Sequence, residues 1–339
     1  MPTGPETPRW IKAEREGLHL PTIGWWIDPS RAVANALVTH GHADHARGGH
    51  GEVWATAATR DIIDLRYGKP PGGGDVAYGE CIEIGDSITA TFLPAGHVLG
   101  SAQILLERQG ERIIVTGDYK RRPDPTCAPF TPAPCDILIT EATFALPIFT
   151  HPPIEREIAR LRAGRDANPD RTILVGAYAL GKAQRVIAEL RRSGYHETIW
   201  LHGAMTAMCD LYQRHGVALG PLAPVSETPR GDLKGQIVIC PPSALNSVWA
   251  RRLPDPVNAV ASGWMRVRQR AVQSNVELPL IISDHCDWNE LTATILEVAP
   301  QETWITHGRE DALLHWCAMR QIRARALDLV GREDEDEAA

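Results

Sequence analysis

Short apolar runs that end in histidine or acidic side chains are the feature that most constrains the fold of this sequence. The runs are rich in β-branched residues and are bounded by turn residues, a pattern that predicts strands. Seven such polar residues close these runs: Asp28, His40, His97, Asp118, Glu141, His285 and His307. Loops at one edge of a sheet are where α/β proteins place their chemistry, so we predict a single functional edge.

The predicted pattern of secondary structure changes near residue 150. Before it, short strands such as 113–115 and 137–139 predominate. After it, helical patterns at 154–164, 180–194 and 206–216 alternate with short apolar strands, which predicts a parallel α/β unit. A length of 339 residues allows one large domain or two smaller ones.

Composition predicts a soluble cytoplasmic protein. The N-terminus has no apolar signal core, and no apolar run approaches about 18 residues, so neither export nor membrane insertion is expected. Seven cysteines without C-x-x-C spacing predict reduced thiols. The net charge of -7 owes five acidic residues to the run 333–337, which we expect to be disordered. Charge therefore neither favours nor excludes a nucleic-acid partner.

The sequence THGHADH, residues 39–45, predicts a metal site. In an extended loop, His40 and His42 project the same way and can share one ion. Asp44 and His45, at the predicted start of a helix, point towards a second. Imidazole and carboxylate ligands together suit zinc or manganese. A chance cluster or a purely structural site is the alternative.

Two further candidates can complete such sites. His97 lies in a glycine-flanked loop, LPAGH, and Asp118 ends a buried strand in VTGD, where it could bridge two ions. A satisfied core histidine and an ordinary Gly-Asp turn are the alternatives for these two residues.

The order HxHxDH, then GH, then GD resembles the metallo-β-lactamase superfamily. The segments LPAGHVLGSAQ, VTGDYKRRPDPTCAPF, ILITEATF and ISDHCDW resemble its nucleic-acid-processing branch, which carries a β-CASP insertion and includes Artemis and the RNA 3′-end processing endonuclease. The segments IDPSRAVANALVTHGHADHARGGH and GDYKRRPDPTCAPF are similar to the bacterial ligase-associated DNA exonucleases. The resemblance extends from about Gly17 to Val330.

This resemblance implies an α/β fold in which an αββα metallo-β-lactamase sandwich carries an inserted parallel α/β β-CASP domain. Residues 1–147 and 278–330 would form the two parts of the sandwich domain, and residues 148–277 the β-CASP domain. Residues 331–339 would be an acidic tail.

The resemblance also implies two divalent ions per protomer, Zn²⁺ and/or Mn²⁺. The implied ligands are His40, His42 and His97 for the first ion and Asp44, His45 and His307 for the second, with Asp118 bridging. Asp28 matches an aspartate that does not bind the ions itself but orients the ligands that do.

Two divalent ions about 3.5–4 Å apart could activate water for in-line phosphoryl displacement. Asp44 and Asp118 would act in catalysis through the ions, and Asp118 could position the water. His285 would protonate the leaving 3′ oxygen or stabilise charge on the phosphate, and Glu141 would keep His285 protonated. A core histidine is the alternative for His285.

Three basic or aromatic segments are candidates for nucleic-acid contacts. A basic cluster follows Asp118, Lys182 opens a helix whose N-terminus could accept a terminal phosphate, and an arginine-rich segment surrounds a tryptophan. The candidates are Lys120, Arg121, Arg122, Lys182, Trp264, Arg266 and Arg268. Solvated surface and a buried tryptophan are the alternatives.

These observations predict a two-metal phosphodiesterase, a DNA exonuclease that acts on single-stranded or duplex ends in DNA repair, alongside an ATP-dependent DNA ligase. An RNase is the alternative, and His307 favours it, because RNA-cutting relatives keep that histidine while DNA-cutting eukaryotic relatives tend to lack it. A catalytically inert nucleic-acid-binding subunit would not need the complete ligand set. A small-ester hydrolase would leave the insertion of about 130 residues, itself the size of a domain, unexplained.

Overall fold

The computed structural model describes residues 10–267, 269, 272 and 276–329. These residues divide into two units. Residues 10–122, 128–146 and 288–329 form the first, and residues 123–127 and 147–287 form the second. Arg268 and the acidic run at 333–337 lie outside the described residues.

The first unit begins with a six-stranded sheet in which spatial order follows chain order. Its strands are β1 (Lys12–Glu14), β2 (Gly17–Leu20), β3 (Trp25–Ile27), β4 (Asn35–Leu37), β5 (Glu52–Ala55) and β6 (Gly72–Asp75). β1, β2 and β3 pair antiparallel, whereas β3 to β6 pair parallel.

A second sheet of seven strands completes the β-structure of this unit. Its strands are β7 (Cys81–Gly85), β8 (Ile88–Pro94), β9 (Ala102–Arg108), β10 (Glu111–Val115), β11 (Ile137–Ala142), β18 (Glu302–Gly308) and β19 (Ala324–Ala326). The spatial order is β19-β18-β11-β10-β9-β8-β7. β11 pairs in parallel with both β10 and β18, so the carboxyl ends of these three strands share one edge.

Successive side chains of a strand point to opposite faces of the sheet, and this alternation explains how the layers assemble. Leu37 points into a core that it shares with residues of the second sheet such as Ile139 and Trp304. Its neighbours Ala36 and Val38 point to the other face, where they pack with Ile63. The sandwich core therefore lies between the two sheets.

Helices cover the outer faces of both sheets. Helix α1 (Ala57–Tyr67) contacts β5. Helices α5 (Trp288–Val298) and α6 (Glu310–Met319) contact strands β11, β18 and β19. The predicted αββα sandwich is confirmed.

The second unit is built on one parallel sheet. Its strands are β12 (Ile173–Gly176), β13 (Ile199–Leu201), β14 (Leu222–Pro224), β15 (Ile237–Cys240), β16 (Val257–Ala261) and β17 (Leu278–Leu280), and its helices are α2 (Ile154–Asp166), α3 (Lys182–Arg192) and α4 (Gly203–Arg214). The spatial order is β14-β13-β15-β12-β16-β17, and every neighbouring pair is parallel. This confirms the predicted insertion of a parallel α/β unit. In the part of the chain that the structure describes, no helix has the length and apolar character to cross a membrane.

One predicted element is wrong. No helix begins at Asp44 and His45; this segment is a turn in which the His42 carbonyl accepts hydrogen bonds from the backbone N–H groups of His45 (3.1 Å) and Ala46 (2.7 Å). Gly49, with a φ of +88°, then redirects the chain into β5. The first helix begins only at Ala57.

Candidate metal centre

Three histidines and one aspartate from separate loops converge in the first unit. His40 and His42 follow β4, His97 follows β8, and Asp118 follows β10. His42 Nδ1 lies 3.2 Å from His40 Nε2 and 2.9 Å from His97 Nε2. Asp118 Oδ2 lies 3.4 Å from His40 Nε2 and 3.8 Å from His97 Nε2. Four potential ligand atoms therefore face one point.

A second group uses the same aspartate. His45 Nε2 lies 3.4 Å from Asp44 Oδ2 and 3.5 Å from Asp118 Oδ2. The potential ligand atoms in each of the two groups lie within 4.8 Å of one another. Asp118 thus belongs to both groups, as a carboxylate that bridges two ions would.

The protonation states in these groups suit metal binding. Burial, and then the neighbouring His45, lower the pKa of His40 to about 4, so its imidazole is neutral at pH 7 and offers a lone pair. For Asp44, burial by itself raises the pKa, but His45 holds it below its usual value, so the carboxylate is ionised. The residues present therefore fit divalent ions that take nitrogen and carboxylate ligands.

Asp28 and Thr39 select the tautomers of two of these histidines. Asp28 Oδ2 accepts a hydrogen bond from the Thr39 hydroxyl (2.6 Å) and lies 2.8 Å from His45 Nδ1. Because an ionised carboxylate only accepts, His45 carries its proton on Nδ1 and presents Nε2 to Asp44 and Asp118.

The Thr39 hydroxyl extends this arrangement to a second histidine. Its single proton is donated to Asp28, so its oxygen accepts from His40 Nδ1 at 3.0 Å. The lone pair on His40 Nε2 therefore faces the other candidate ligands. Asp28 is buried and has an unusual φ of +46°, and its Oδ1 also accepts from the Thr39 backbone N–H at 2.7 Å. Sequence reasoning missed Thr39, although it directly precedes the first histidine.

Replacing Thr39 with valine should weaken metal binding by about 10- to 100-fold, because valine keeps the shape but cannot relay the Asp28 carboxylate to His40. Competition with a chelator, followed by elemental analysis, measures the affinity. Thr89→Val, on strand β8 and outside the centre, is the matched control. Equal metal affinity in Thr39→Val and the wild type would contradict the tautomer assignment.

Glycines fix the two loops that deliver His97 and Asp118. Gly96 has a φ of +76°, and a Cβ there would lie 2.3 Å from the Lys120 carbonyl oxygen. Gly117 has a φ of +55°, and a Cβ there would lie 2.7 Å from the Thr39 side chain. No other residue fits these positions without a shift of the backbone. The glycines in the sequences AGH and TGD are therefore part of the site.

Two predicted site residues lie inside strands rather than beyond them. Glu141 is the penultimate residue of β11, fully buried, and its Oε1 accepts the backbone N–H of Tyr119 at 2.8 Å. This contact holds the chain directly after Asp118. His307 is the penultimate residue of β18, beside β11, at the same sheet edge. The role of Glu141 towards His285 and the role of His307 as a ligand stay predictions.

His285 belongs to the second unit, where it lies in the loop after β17. It is 5% exposed. Its backbone N–H donates to the Ser283 hydroxyl at 3.0 Å, and the Ser283 hydroxyl in turn lies 3.2 Å from the His285 carbonyl oxygen. The Ser283 hydroxyl therefore fixes the backbone of His285 on both its N–H and its carbonyl side.

The basic cluster after Asp118 has protein partners in the first unit. Lys120 is buried, with its Nζ 3.5 Å from the His97 carbonyl oxygen. Arg121 pairs with Glu297 and donates to Thr294, and Arg122 Nε lies 3.2 Å from Glu290 Oε1. These contacts account for the cluster structurally, and phosphate binding by it stays a prediction.

Of the candidate nucleic-acid contacts described in the second unit, two are buried and one is exposed. Lys182 is 2% exposed, and its Nζ lies 3.2 Å from Asp284 Oδ2, so its charge is engaged inside the protein. Trp264 is 4% exposed and packs edge-on against Phe149, which leaves no open face for a base and supports the alternative of a buried tryptophan. Arg266 is exposed and donates to the Ile148 carbonyl.

Several known proteins are similar to this chain. A probable DNA ligase of Opitutus terrae is 29% identical over 304 residues, which cover 88% of this chain and 29% of that protein. Endoribonuclease ysh1 of Emericella nidulans is 40% identical over 118 residues, 33% of this chain and 13% of that protein. An RNase J-like protein of Methanocaldococcus jannaschii is 27% identical over 182 residues, 46% of this chain and 43% of that protein. The chain spans less than half the length of each of these curated relatives.

A solved structure supports the fold alone. A protein of unknown function from Enterococcus faecalis V583 superposes with a TM-score of 0.53 at 14% identity, covering 81% of this chain and 74% of that one. No profile of a known protein family matches the chain.

The αββα sandwich, with histidine and aspartate side chains clustered beyond strand ends of both sheets, defines a metallo-β-lactamase-type protein with clusters able to bind metal. The inserted parallel α/β unit and the similarity to the ysh1 and RNase J-like proteins specify the branch. The chain belongs to the β-CASP branch of the metallo-β-lactamase superfamily.

Proposed function

We propose that this protein is a two-metal phosphodiesterase that hydrolyses DNA from an end. The observation that carries the proposal is the sharing of Asp118 between the groups His40–His42–His97 and Asp44–His45. Two divalent ions, zinc or manganese, fit these donors and would supply the positive charge and activated water that phosphodiester hydrolysis needs. His307 is the proposed additional ligand of the second ion.

The residues of the chain have separate tasks in this proposal. Asp118 holds both halves of the centre in one geometry, and Asp28 with Thr39 keeps the histidine lone pairs directed inwards. Glu141 fixes the backbone after Asp118 and would hold His285 protonated. His285 would transfer a proton to the 3′ oxygen that leaves the phosphate.

DNA is favoured as the substrate by the extent of similarity. The match to the probable DNA ligase covers 88% of this chain, including both units, whereas the endoribonuclease ysh1 match covers 33%. A region similar to this chain thus occurs in one polypeptide named for DNA ligation. This supports cooperation with an ATP-dependent ligase in repair, where a nuclease would trim ends before they are joined. We propose the cytoplasm as the place of action.

An RNase is the second candidate. The higher local identity, 40%, is to an endoribonuclease, and the chain carries His307, which its family resemblance associates with RNA cutting. A ligand at this position could equally serve metal affinity without contact to a ribose, so we rank this candidate below the first.

End-labelled linear single- and double-stranded DNA and RNA, incubated with the protein and Mn²⁺ or Zn²⁺, test the proposal. We expect linear DNA to shorten progressively from an end, circular single-stranded DNA to resist, and RNA to be cut more slowly. Chelator-treated protein is the control. Cutting of the circle would show an endonuclease, faster cutting of RNA would establish the second candidate, and no cutting of any substrate would contradict both.

A further inference from the structure

Helix α3 of the second unit is buried on every side although it carries several polar side chains. Residues 182–190 are all buried, including Lys182, Gln184 and Arg185. A charged group inside a protein is costly unless it is paired, so each of these side chains needs a defined partner. Gln184 finds its partners locally, since it accepts from the Gly181 N–H (2.8 Å) and donates to the Ala179 carbonyl (2.9 Å).

The two cations of α3 instead reach the loop that carries His285. Arg185 Nη1 donates to the Ser283 carbonyl and lies 3.2 Å from Asp284 Oδ1. Lys182 Nζ lies 3.2 Å from Asp284 Oδ2. Both oxygens of the buried Asp284 are thus held by α3, and the next residue in the chain is His285.

Arg185 is also held from its other side. Its Nε lies 3.3 Å from Asp124 Oδ2. Asp124 Oδ1 accepts hydrogen bonds from the Thr126 backbone N–H (2.8 Å) and hydroxyl (2.6 Å). Burial by itself lowers the pKa of Arg185, but Asp124 and Asp284 raise it overall, so the guanidinium is charged at every working pH. A planar fork between two carboxylates has little freedom to turn.

The remainder of the loop is anchored at its ends. Glu157 of α2, itself buried, accepts the Ile281 backbone N–H at 2.8 Å. Asp287 accepts the His151 backbone N–H at 2.9 Å. Between these two anchors, Arg185 contacts the two residues that directly precede His285.

We propose that Arg185 is a positioning residue that fixes His285 for proton transfer through Ser283 and Asp284. This inference rests on the proposed function, because it gives His285 its catalytic role. A misplacement of about 1 Å of a catalytic group can reduce a rate about 100-fold, so the contacts of Arg185 have a measurable consequence.

The test compares Arg185→Met and Asp284→Asn with Arg192→Met. Arg192 lies on the same helix, is 59% exposed and is 3.6 Å from Glu189, so its replacement leaves the loop untouched. We expect turnover at saturating DNA to fall about 100-fold in the first two variants, with KM and metal content unchanged. If Arg185→Met does not fold, Asp284→Asn, which keeps the side-chain shape, carries the test.

A spectroscopic readout separates this proposal from the proposed function. In protein labelled with ¹³C-histidine, the ring signal of His285 is assigned by its disappearance in His285→Gln. We expect this signal to shift or split in Arg185→Met and Asp284→Asn but not in Arg192→Met. Wild-type turnover in either variant, or an unchanged His285 signal, would overturn the role of Arg185. An inactive wild type that still shows the His285 response would contradict the proposed function alone.

Discussion

Asp118→Ala is expected to reduce nucleic-acid hydrolysis by at least about a thousandfold while the protein still folds. Asp118 Oδ2 lies 3.4 Å from His40 Nε2 and 3.5 Å from His45 Nε2, so it is the one carboxylate common to both ligand groups among the described residues. Alanine leaves no oxygen in its place. The loss of transition-state stabilisation, about 4 kcal/mol, corresponds to about a thousandfold in rate.

Three measurements define this result. Turnover on linear DNA gives the loss of activity, elemental analysis gives the metal content, and thermal unfolding in chelator gives the stability of the metal-free fold. Asp166→Ala, which removes a carboxylate that is 66% exposed, is the control. Activity near the wild-type level in Asp118→Ala would exclude a dinuclear centre bridged by this residue. Loss of activity with a collapsed thermal transition would show that Asp118 supports folding rather than chemistry.

The fold was predictable because local patterns and layer packing agree in this chain. Helices α2, α3 and α4 lie where apolar residues recur with a helical period, and the parallel strands between them are short, apolar and buried on both faces, as between covering helices. Strand β14 was not predicted. Its sequence, LAP, is only partly buried and contains proline, and it forms an edge strand whose pairing depends on β13.

The clustering of the candidate metal ligands was predictable, but the residues that support them were not. A histidine-rich loop after a strand carries its own signal in the sequence. Thr39 and Ser101 carry none, since hydroxyl residues are common in loops and only the folded chain brings the Ser101 hydroxyl to the N–H of His97 at 3.1 Å. The ion pairs of Lys182 and Arg185 with Asp284 join residues about 100 positions apart, beyond the reach of any local pattern.

The predicted nucleic-acid contacts also depend on tertiary structure, because residue type does not show whether a side chain is exposed. Lys182 and Trp264 belong to residue types that often bind nucleic acid, and the sequence does not reveal their burial. In the folded chain, Lys182 compensates the charge of Asp284, and Trp264 fills the core beside Phe149. Residue type therefore predicts spatial clustering well where several candidate ligands occur in one motif, and predicts the environment of a single side chain poorly.

His285→Gln is expected to lower turnover on DNA by about 100- to 1000-fold with little change in KM. The range is that of a lost general acid, because glutamine can donate a hydrogen bond but cannot transfer a proton. His285 sits in a loop that Arg185, Glu157 and His151 hold, so glutamine should leave the backbone in place. Metal content should also be unchanged, since His285 is not among the proposed ligands.

The leaving group provides the decisive test of this assignment. A 3′ oxygen of DNA must be protonated as it departs, whereas a p-nitrophenolate leaves without a proton. We expect the deficit of His285→Gln to shrink to less than about tenfold on thymidine 5′-p-nitrophenyl phosphate, because the general-acid contribution is no longer needed. His202→Gln, a histidine at the start of α4 in the same unit, is the control and should behave as the wild type on both substrates. An equal deficit on both substrates would show that His285 stabilises charge on the phosphate instead of donating a proton, because that charge develops whichever group leaves.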